Sequence, residues 1–369
     1  MSIYYLIKQI FLKRILVIKK SLVKYNLSMN MRRDIKKTLK KSKLQGLTKL
    51  QKRKIKLYFK RKGYSNIKLY WHHFYTSRSN TFCVEYIPED IFHPIISPMI
   101  NQMKQWPALL DKNLSDTIFN GFKQPDNLVK NINGFFYVDN KQIERIEAID
   151  IINKFKQQLI IKPSIESGSG RMINVFAINN FKTSFKGMSI NSLLDYYNKD
   201  YIIQKIVEQS TDMKSLNPTS LNTLRIMSYM RETEIHILSS IVRIGGAGSH
   251  TDNYSTGGVV CGIKDDGNLR EYGYPYFGER VKKTESGVVL GTFIVPNFNK
   301  AISMVKEMHF KIPYFRIISW DIGLDITNTP IFIEYNTYRQ GIGVHQITNG
   351  PLFGEFTDEL LEIGRKYKP

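Results

Sequence analysis

Near its C-terminal end the chain carries two apolar runs, FRIISWDIGLDI (residues 315–326) and IFIEYN (residues 331–336), joined by a turn centred on Thr327 and Asn328. They constrain the fold more than any other feature, because runs built for burial on β-strands here hold Asp321, Glu334 and Asn336. Side chains two apart share a strand face, so Glu334 and Asn336 project together. A hairpin of two or four turn residues pairs position 321 with position 334. That sets the two carboxylates opposite each other, roughly 5 Å apart, with Asn336 diagonal to them. Acids this close repel unless a cation or a shared proton relieves them. Removing either carboxylate is therefore expected to leave the fold intact.

Three oxygen donors with room for waters and phosphates suit Mg²⁺. The competing reading is a solvated hairpin whose acids pair with neighbouring Lys or Arg. A magnesium site of this kind calls for a phosphate site, and LIIKPSIESGSGRMINVF offers one. A strand ends at Lys162, a loop of Ser167, Gly168, Ser169 and Gly170 follows, and a second strand opens after Arg171. Glycines let backbone N–H groups approach phosphate oxygens, and the Lys supplies a point charge. The Lys precedes the glycines and a strand follows them, so this is not a P-loop.

The formal charge of +22 suggests a nucleic-acid binder until its distribution is read. Residues 1–68 hold 22 of the 54 Lys and Arg but only one of the 32 acids, Asp34, so the remaining 301 residues are nearly neutral. Ile3, Ile7, Ile10, Ile18 and Leu22 fall on one side of a helical wheel and most of the lysines on the other, the pattern of a helix lying on an anionic membrane surface. Lys8, Lys13 and Arg14 interrupt the apolar run of a signal peptide, and no stretch reaches the length of a membrane span. Two cysteines, Cys83 and Cys261, make neither a disulfide framework nor a zinc cluster.

The spacing predicts one or two basic helices over residues 32–62 and a small α/β region, punctuated by prolines, over residues 70–140. A helix over 141–158 leads into the strand ending at Lys162. Strands are expected at 172–177, 201–207, 222–230, 235–244, 316–326 and 331–336, and helices at 189–199, 300–311 and 355–366. The fold class is α+β with antiparallel hairpins rather than a doubly wound parallel sheet. Three domains are expected: a basic helical arm (1–68), an N-terminal α/β region (69–140) and a catalytic domain (141–369). Trp71, His72, His73, Phe74 and Tyr75 read as a packing cluster.

A Lys before a small-residue loop, a later YIIQKIVEQ strand and a closing Asp, Glu and Asn resemble the ATP-grasp superfamily of carboxylate ligases. NPTSLNTLRI, VRIGGAGSHTDNYSTGGVV and the SWD ending at Asp321 are similar to its sugar-transfer-associated subgroup. The resemblance implies two α+β subdomains holding ATP between them. It places Lys162 on the α- and β-phosphates beneath Ser167, Gly168, Ser169 and Gly170, and the adenine along Gln204, Lys205, Ile206 and Val207. Glu208 or Asp212 would take the ribose. Asp321, Glu334 and Asn336 would carry one or two Mg²⁺, while Arg225, Arg243 and Asn253 serve the oxyanion formed as an amine attacks an acyl phosphate. Many ligases of the superfamily have an arginine two residues before the metal Asp; this chain has Ser319.

The implied reaction joins a carboxylate, on a small molecule or a lipid-linked glycan of the cell surface, to an amine. The enzyme is expected in the cytoplasm, peripheral at the inner face of the membrane through residues 1–68. Two alternatives stay open: a kinase acting on a sugar, and a non-catalytic RNA- or polyanion-binding protein. No RNA-recognition motif accompanies the charge, so nucleic acid is the weaker partner.

Overall fold

The computed structural model describes residues 26, 28–40, 46–165, 172–249 and 251–367. The amphipathic start (1–25), the loop of Ser167, Gly168, Ser169 and Gly170, Arg171 and His250 lie outside the described residues. The chain divides into two compact units.

The first unit comprises residues 1–102, 277–279 and 341–369. Its helix Lys49–Arg61 begins with a capping box: the Thr48 hydroxyl accepts from Gln51 N at 3.2 Å and Gln51 Oε1 accepts from Thr48 N at 2.9 Å, which satisfies two N-terminal amides. Ile55 and Phe59 turn inward from it to a core that includes Trp71, Tyr75, Tyr86 and Phe92. The packing expected of the WHHFY segment is observed on Tyr70–Ser79, where His72 is fully buried with Nε2 3.1 Å from Val84 O. Gln346 ties helix Ile342–Asn349 to residue 87 by two hydrogen bonds of 2.9 Å.

The second unit holds residues 103–276 and 280–340 and is built on two six-stranded sheets. The strands of the first are β1 (Asn127–Ile132), β2 (Phe135–Val138), β3 (Lys141–Ile143), β4 (Leu159–Pro163), β5 (Asn174–Phe176) and, after the small hairpin β6 (Ile178–Asn179) and β7 (Lys182–Thr183), β8 (Tyr201–Lys205). Their order is β3-β2-β1-β8-β4-β5, antiparallel throughout. Val129, Ile161 and Ile203 face a core shared with Ile152 of helix Arg145–Lys154 and Leu194 of helix Ile190–Tyr197. The single helix expected over 141–158 starts as the strand β3, since Lys141 to Ile143 pair with β2. The domain boundary expected between 140 and 141 falls inside this sheet, because β1 bonds directly to β8.

The second sheet is made of β9 (Thr223–Arg231), β10 (Glu234–Ile244), β11 (Val259–Ile263), β12 (Leu269–Pro275), β13 (Ile317–Leu324) and β14 (Pro330–Asn336). They run in the antiparallel order β12-β11-β10-β9-β13-β14. Leu224, Ile226, Val242, Ile318 and Trp320 pack with Val305 and Met308 of helix Phe298–Phe310. Each such side chain contributes about 1.5–3 kcal/mol by leaving water. The antiparallel α+β architecture matches the expectation, and its two-residue alternation sends Arg225, Arg243 and Asp321 to the face opposite this core. Among the described residues no helix is long and apolar enough to cross a membrane.

Candidate functional site

The β13–β14 hairpin pairs Asp321 with Glu334 and Ser319 with Asn336. The register expected from an even turn is reached by another route. Beside the turn Leu324 pairs with Pro330 and Ile322 with Phe332, one residue out of step with the outer pairs, and a bulge between Asp321 and Ile322 restores the register. Ile333 is the extra residue. Phe332 and Tyr335 both belong to the core, an interval of three that strict alternation forbids, so the bulge is what turns Glu334 onto the face of Asp321. Gly323 leaves space for it: a Cβ there would stand 3.1 Å from Ile331 Cγ2 and 3.4 Å from Ile333 Cδ1.

Arg225 on β9 lies directly opposite Asp321. Its Nε donates to Asp321 Oδ1 at 2.8 Å and a terminal nitrogen to Oδ2 at 2.7 Å, a two-pronged pair. Arg243 on β10 reaches the same Oδ2 at 3.0 Å and Asp252 at 3.0 Å, and the Thr223 hydroxyl donates to Asp252. Lys112 stands 3.5 Å from Glu334. The repulsion expected between the two acids is thus already relieved by Arg225, Arg243 and Lys112. Burial alone would push the Asp321 carboxyl up, but the two guanidinium groups outweigh it and hold it below its ordinary value. Asp252 goes the other way, burial outweighing Arg243.

Lys162 approaches from the first sheet. It is 7% exposed, and among the described residues it makes no hydrogen bond or ion pair. Burial and then the charge of Lys112 lower its pKa to about 8, against the opposing pull of Glu334. Lys112 joins the two sheets at this point, because its backbone N–H donates to Ser164 O at 2.9 Å while its side chain meets Glu334. Lys112 and Thr223 are not among the sequence candidates, and Asp252 enters only within the segment VRIGGAGSHTDNYSTGGVV; nothing local marks Lys112, whose partner Glu334 lies 222 residues on, whereas Asp252 stands 9 residues from Arg243 and 29 from Thr223.

The remaining candidates have contacts of their own. Gln204 is buried and donates to Asn127 Oδ1 at 2.8 Å. Lys205 pairs with Asp126 at 2.9 Å. The strand ends there, and Ile206, Val207 and Glu208 continue without a backbone hydrogen bond among the described residues, Ile206 being 36% exposed. Glu208 is exposed, whereas Asp212 sits in the first turn of helix Thr211–Leu216 and accepts from Asn328 at 3.2 Å. The Asn253 side chain caps the turn Tyr254–Thr256. The Asn336 Nδ2 and Ser319 Oγ atoms are buried and have no hydrogen-bond partner among the described residues.

Two carboxylates and an amide form a hard oxygen donor set, and a buried ammonium without a partner is a cradle for phosphate, so these residues fit Mg²⁺ and a nucleotide. Asp321 already accepts three N–H donors, which leaves Glu334 the freer carboxylate.

A nucleotide-cradling pair of antiparallel α+β subdomains is the class this geometry defines. The family described as sugar-transfer associated ATP-grasp matches residues 96–358, and the chain belongs to it. ATP and Mg²⁺ are the cofactors of this fold. Among solved structures, an L-amino acid ligase from Bacillus licheniformis is 13% identical, with 73% of this chain and 52% of that one covered and a TM-score of 0.40. The biotin carboxylase domain of the Hydrogenobacter thermophilus 2-oxoglutarate carboxylase, solved with MgADP, is 13% identical over 73% of this chain and 48% of its own, TM-score 0.43. D-alanyl-alanine synthetase A from Vibrio cholerae is 12% identical over 69% and 64%, TM-score 0.40. The chain spans less than two thirds of each of these three. No curated protein matches.

Proposed function

We propose that the protein is an ATP- and Mg²⁺-dependent ligase that joins a carboxylate to an amine, acting on a building block of a cell-surface polysaccharide. The observation that carries this reading is Lys162, a desolvated ammonium that has no partner among the described residues and lies within the electrostatic reach of Glu334. A buried charge costs several kcal/mol unless something pairs with it, so a phosphate is its natural counterpart. In this reading Lys162 holds the α- and β-phosphates under Ser167, Gly168, Ser169 and Gly170. The unpaired backbone of Ile206 and Val207 receives the base beside Gln204 and Lys205, and Glu208 or Asp212 the ribose. Asp321, Glu334 and Asn336 hold Mg²⁺, which when bound neutralises the β- and γ-phosphate oxygens during transfer.

A substrate carboxylate oxygen takes the γ-phosphoryl group and ADP leaves. The amine then attacks the activated carbonyl, phosphate departs and the nitrogen loses its proton. Arg225 and Arg243, locked in place by Asp321 and Asp252, present positive charge to the oxyanion, with Asn253 near the loop; Arg225 comes from the neighbouring strand where Ser319 offers none. The family description supports the glycan substrate, and the basic composition of residues 1–68 supports work at an anionic membrane surface.

Calorimetry with MgATP tests the core of this. Lys162→Met is expected to bind at least about tenfold more weakly than wild type, a loss of about 1.4 kcal/mol. Unchanged affinity in the variant, or no binding by the wild type, refutes the assignment. Paired acids and amines that release ADP with an amide product support the ligase; a phosphorylated sugar replaces it with a kinase.

A further inference from the structure

We infer that the outward face of helix Lys49–Arg61 docks this protein onto an anionic lipid bilayer. The inference rests on the membrane-surface part of the proposed function and is independent of the ligase chemistry. The helix is fixed from behind by Ile55 and Phe59, both fully buried, and by Lys62, which pairs with Asp358 at 2.5 Å. With that side docked, helical spacing puts Leu50 and Leu57, seven residues apart, at the centre of the opposite side. They are 62% and 45% exposed. Arg53 and Lys60 flank them on one edge, Lys54 and Arg61 on the other, and the 13 residues include no acid. None of these four cations makes an ion pair among the described residues. A shallow groove of about 390 Å³ runs along the basic edge between Lys49, Lys52, Arg53, Lys56, Leu57 and Lys60.

With Ile55 and Phe59 serving the core, Leu50 and Leu57 on the far side are left to water among the described residues. A helix that lies in the headgroup layer needs that arrangement, with an apolar centre to sink among acyl chains and cations at both edges to meet lipid phosphates. A nucleic acid would use the same cations but has no use for the leucines, and the aromatic ring beside the exposed face, Tyr58, is half-buried with its hydroxyl donating to Asp358 at 3.1 Å. Charge complementarity and the apolar ridge together select an anionic bilayer over a bare polyanion.

The test uses the full chain with large unilamellar vesicles, either phosphatidylcholine alone or mixed with phosphatidylglycerol. The protein is expected to sediment with the mixed vesicles only. Replacing three cations together (Arg53→Gln, Lys56→Gln, Lys60→Gln) should weaken that binding on the order of a hundredfold, and Leu50→Ser with Leu57→Ser about tenfold. An environment-sensitive fluorophore on Leu57→Cys, in a Cys83→Ser background, should shift to the blue when mixed vesicles are added. Sedimentation without that shift puts the contact elsewhere and overturns the inference, as does equal binding to phosphatidylcholine alone. It is also overturned if the charge variant loses poly(U) and vesicles equally while the leucine variant binds as wild type. MgATP affinity in vesicle-free solution is expected to be unchanged in every variant, so failure to dock and failure of the nucleotide site are read separately.

Discussion

Two buried lysines on the first sheet make an instructive pair. Lys130 on β1 and Lys162 on β4 both lie opposite Ile202 of β8, so they project from the same face one strand apart on either side. Both are almost completely buried. Lys130 spends its three protons on Asp116 at 2.5 Å, Asn140 at 2.9 Å and the Asn113 carbonyl at 3.0 Å. Lys162 has no such partner among the described residues, and its pKa is depressed accordingly. The same residue type at the same depth is structural where acceptors surround it and poised for a ligand where they do not.

The second sheet supplies the limiting case of a charge that is fully answered. Asp321→Ala would leave Arg225 and Arg243 buried without their shared acceptor. A loss of about 3–5 kcal/mol is expected in urea unfolding. This reverses the expectation drawn from carboxylate repulsion, and a variant as stable as wild type would restore it. Next in size is Lys162→Met, expected to be more stable than wild type by up to about 3 kcal/mol at pH 7, since the buried charge is removed with nothing left unpaired. The pH dependence carries the sign. A lysine with a folded pKa of about 8 and an unfolded value of 10.5 binds more protons unfolded across that window. Wild-type stability therefore rises relative to the variant from pH 8 to 10.5, and the gap closes. A constant gap would mean that Lys162 is not the titrating group. The smallest effect, of opposite sign, belongs to Lys130→Met, about 2 kcal/mol destabilising, because Asp116 is partly exposed and water recovers part of the lost pair. If the two methionine variants move stability in the same direction, the contrast between the lysines fails.

The sequence made the closing hairpin legible because strand periodicity is local: alternation around Trp320 and Tyr335 fixes which residues face the core. It could not show that Ile333 is bulged, since one extra residue leaves composition and propensity unchanged. Nor could it show the arginine clamp. Arg225 and Arg243 lie 96 and 78 residues from Asp321, and only the order of strands in the sheet brings them together. The short strands β1 to β3 passed for a mixed region because Asn133, Gly134, Asp139 and Asn140 sit at their turns, with positive φ at each, and leave few residues to show a period. Lys162 is legible from the loop after it, whereas the absence of a partner for it among the described residues is a property of three dimensions alone.

The bulge at Ile333 also sets how this segment tolerates change. A chain lacking that one isoleucine keeps its charge, its length to within a residue and nearly all its hydrophobicity. Its ladder would run straight and still set Glu334 opposite Asp321 and Tyr335 opposite Trp320, because the residue lost is the one without a partner in the ladder. The parity error would come from keeping Ile333 and flattening the bulge, which would pair Glu334 with Trp320 and exchange the inside and outside of the strand; deletion of Ile333 leaves both faces where they are. The hairpin's fidelity is a matter of counting before it is a matter of chemistry.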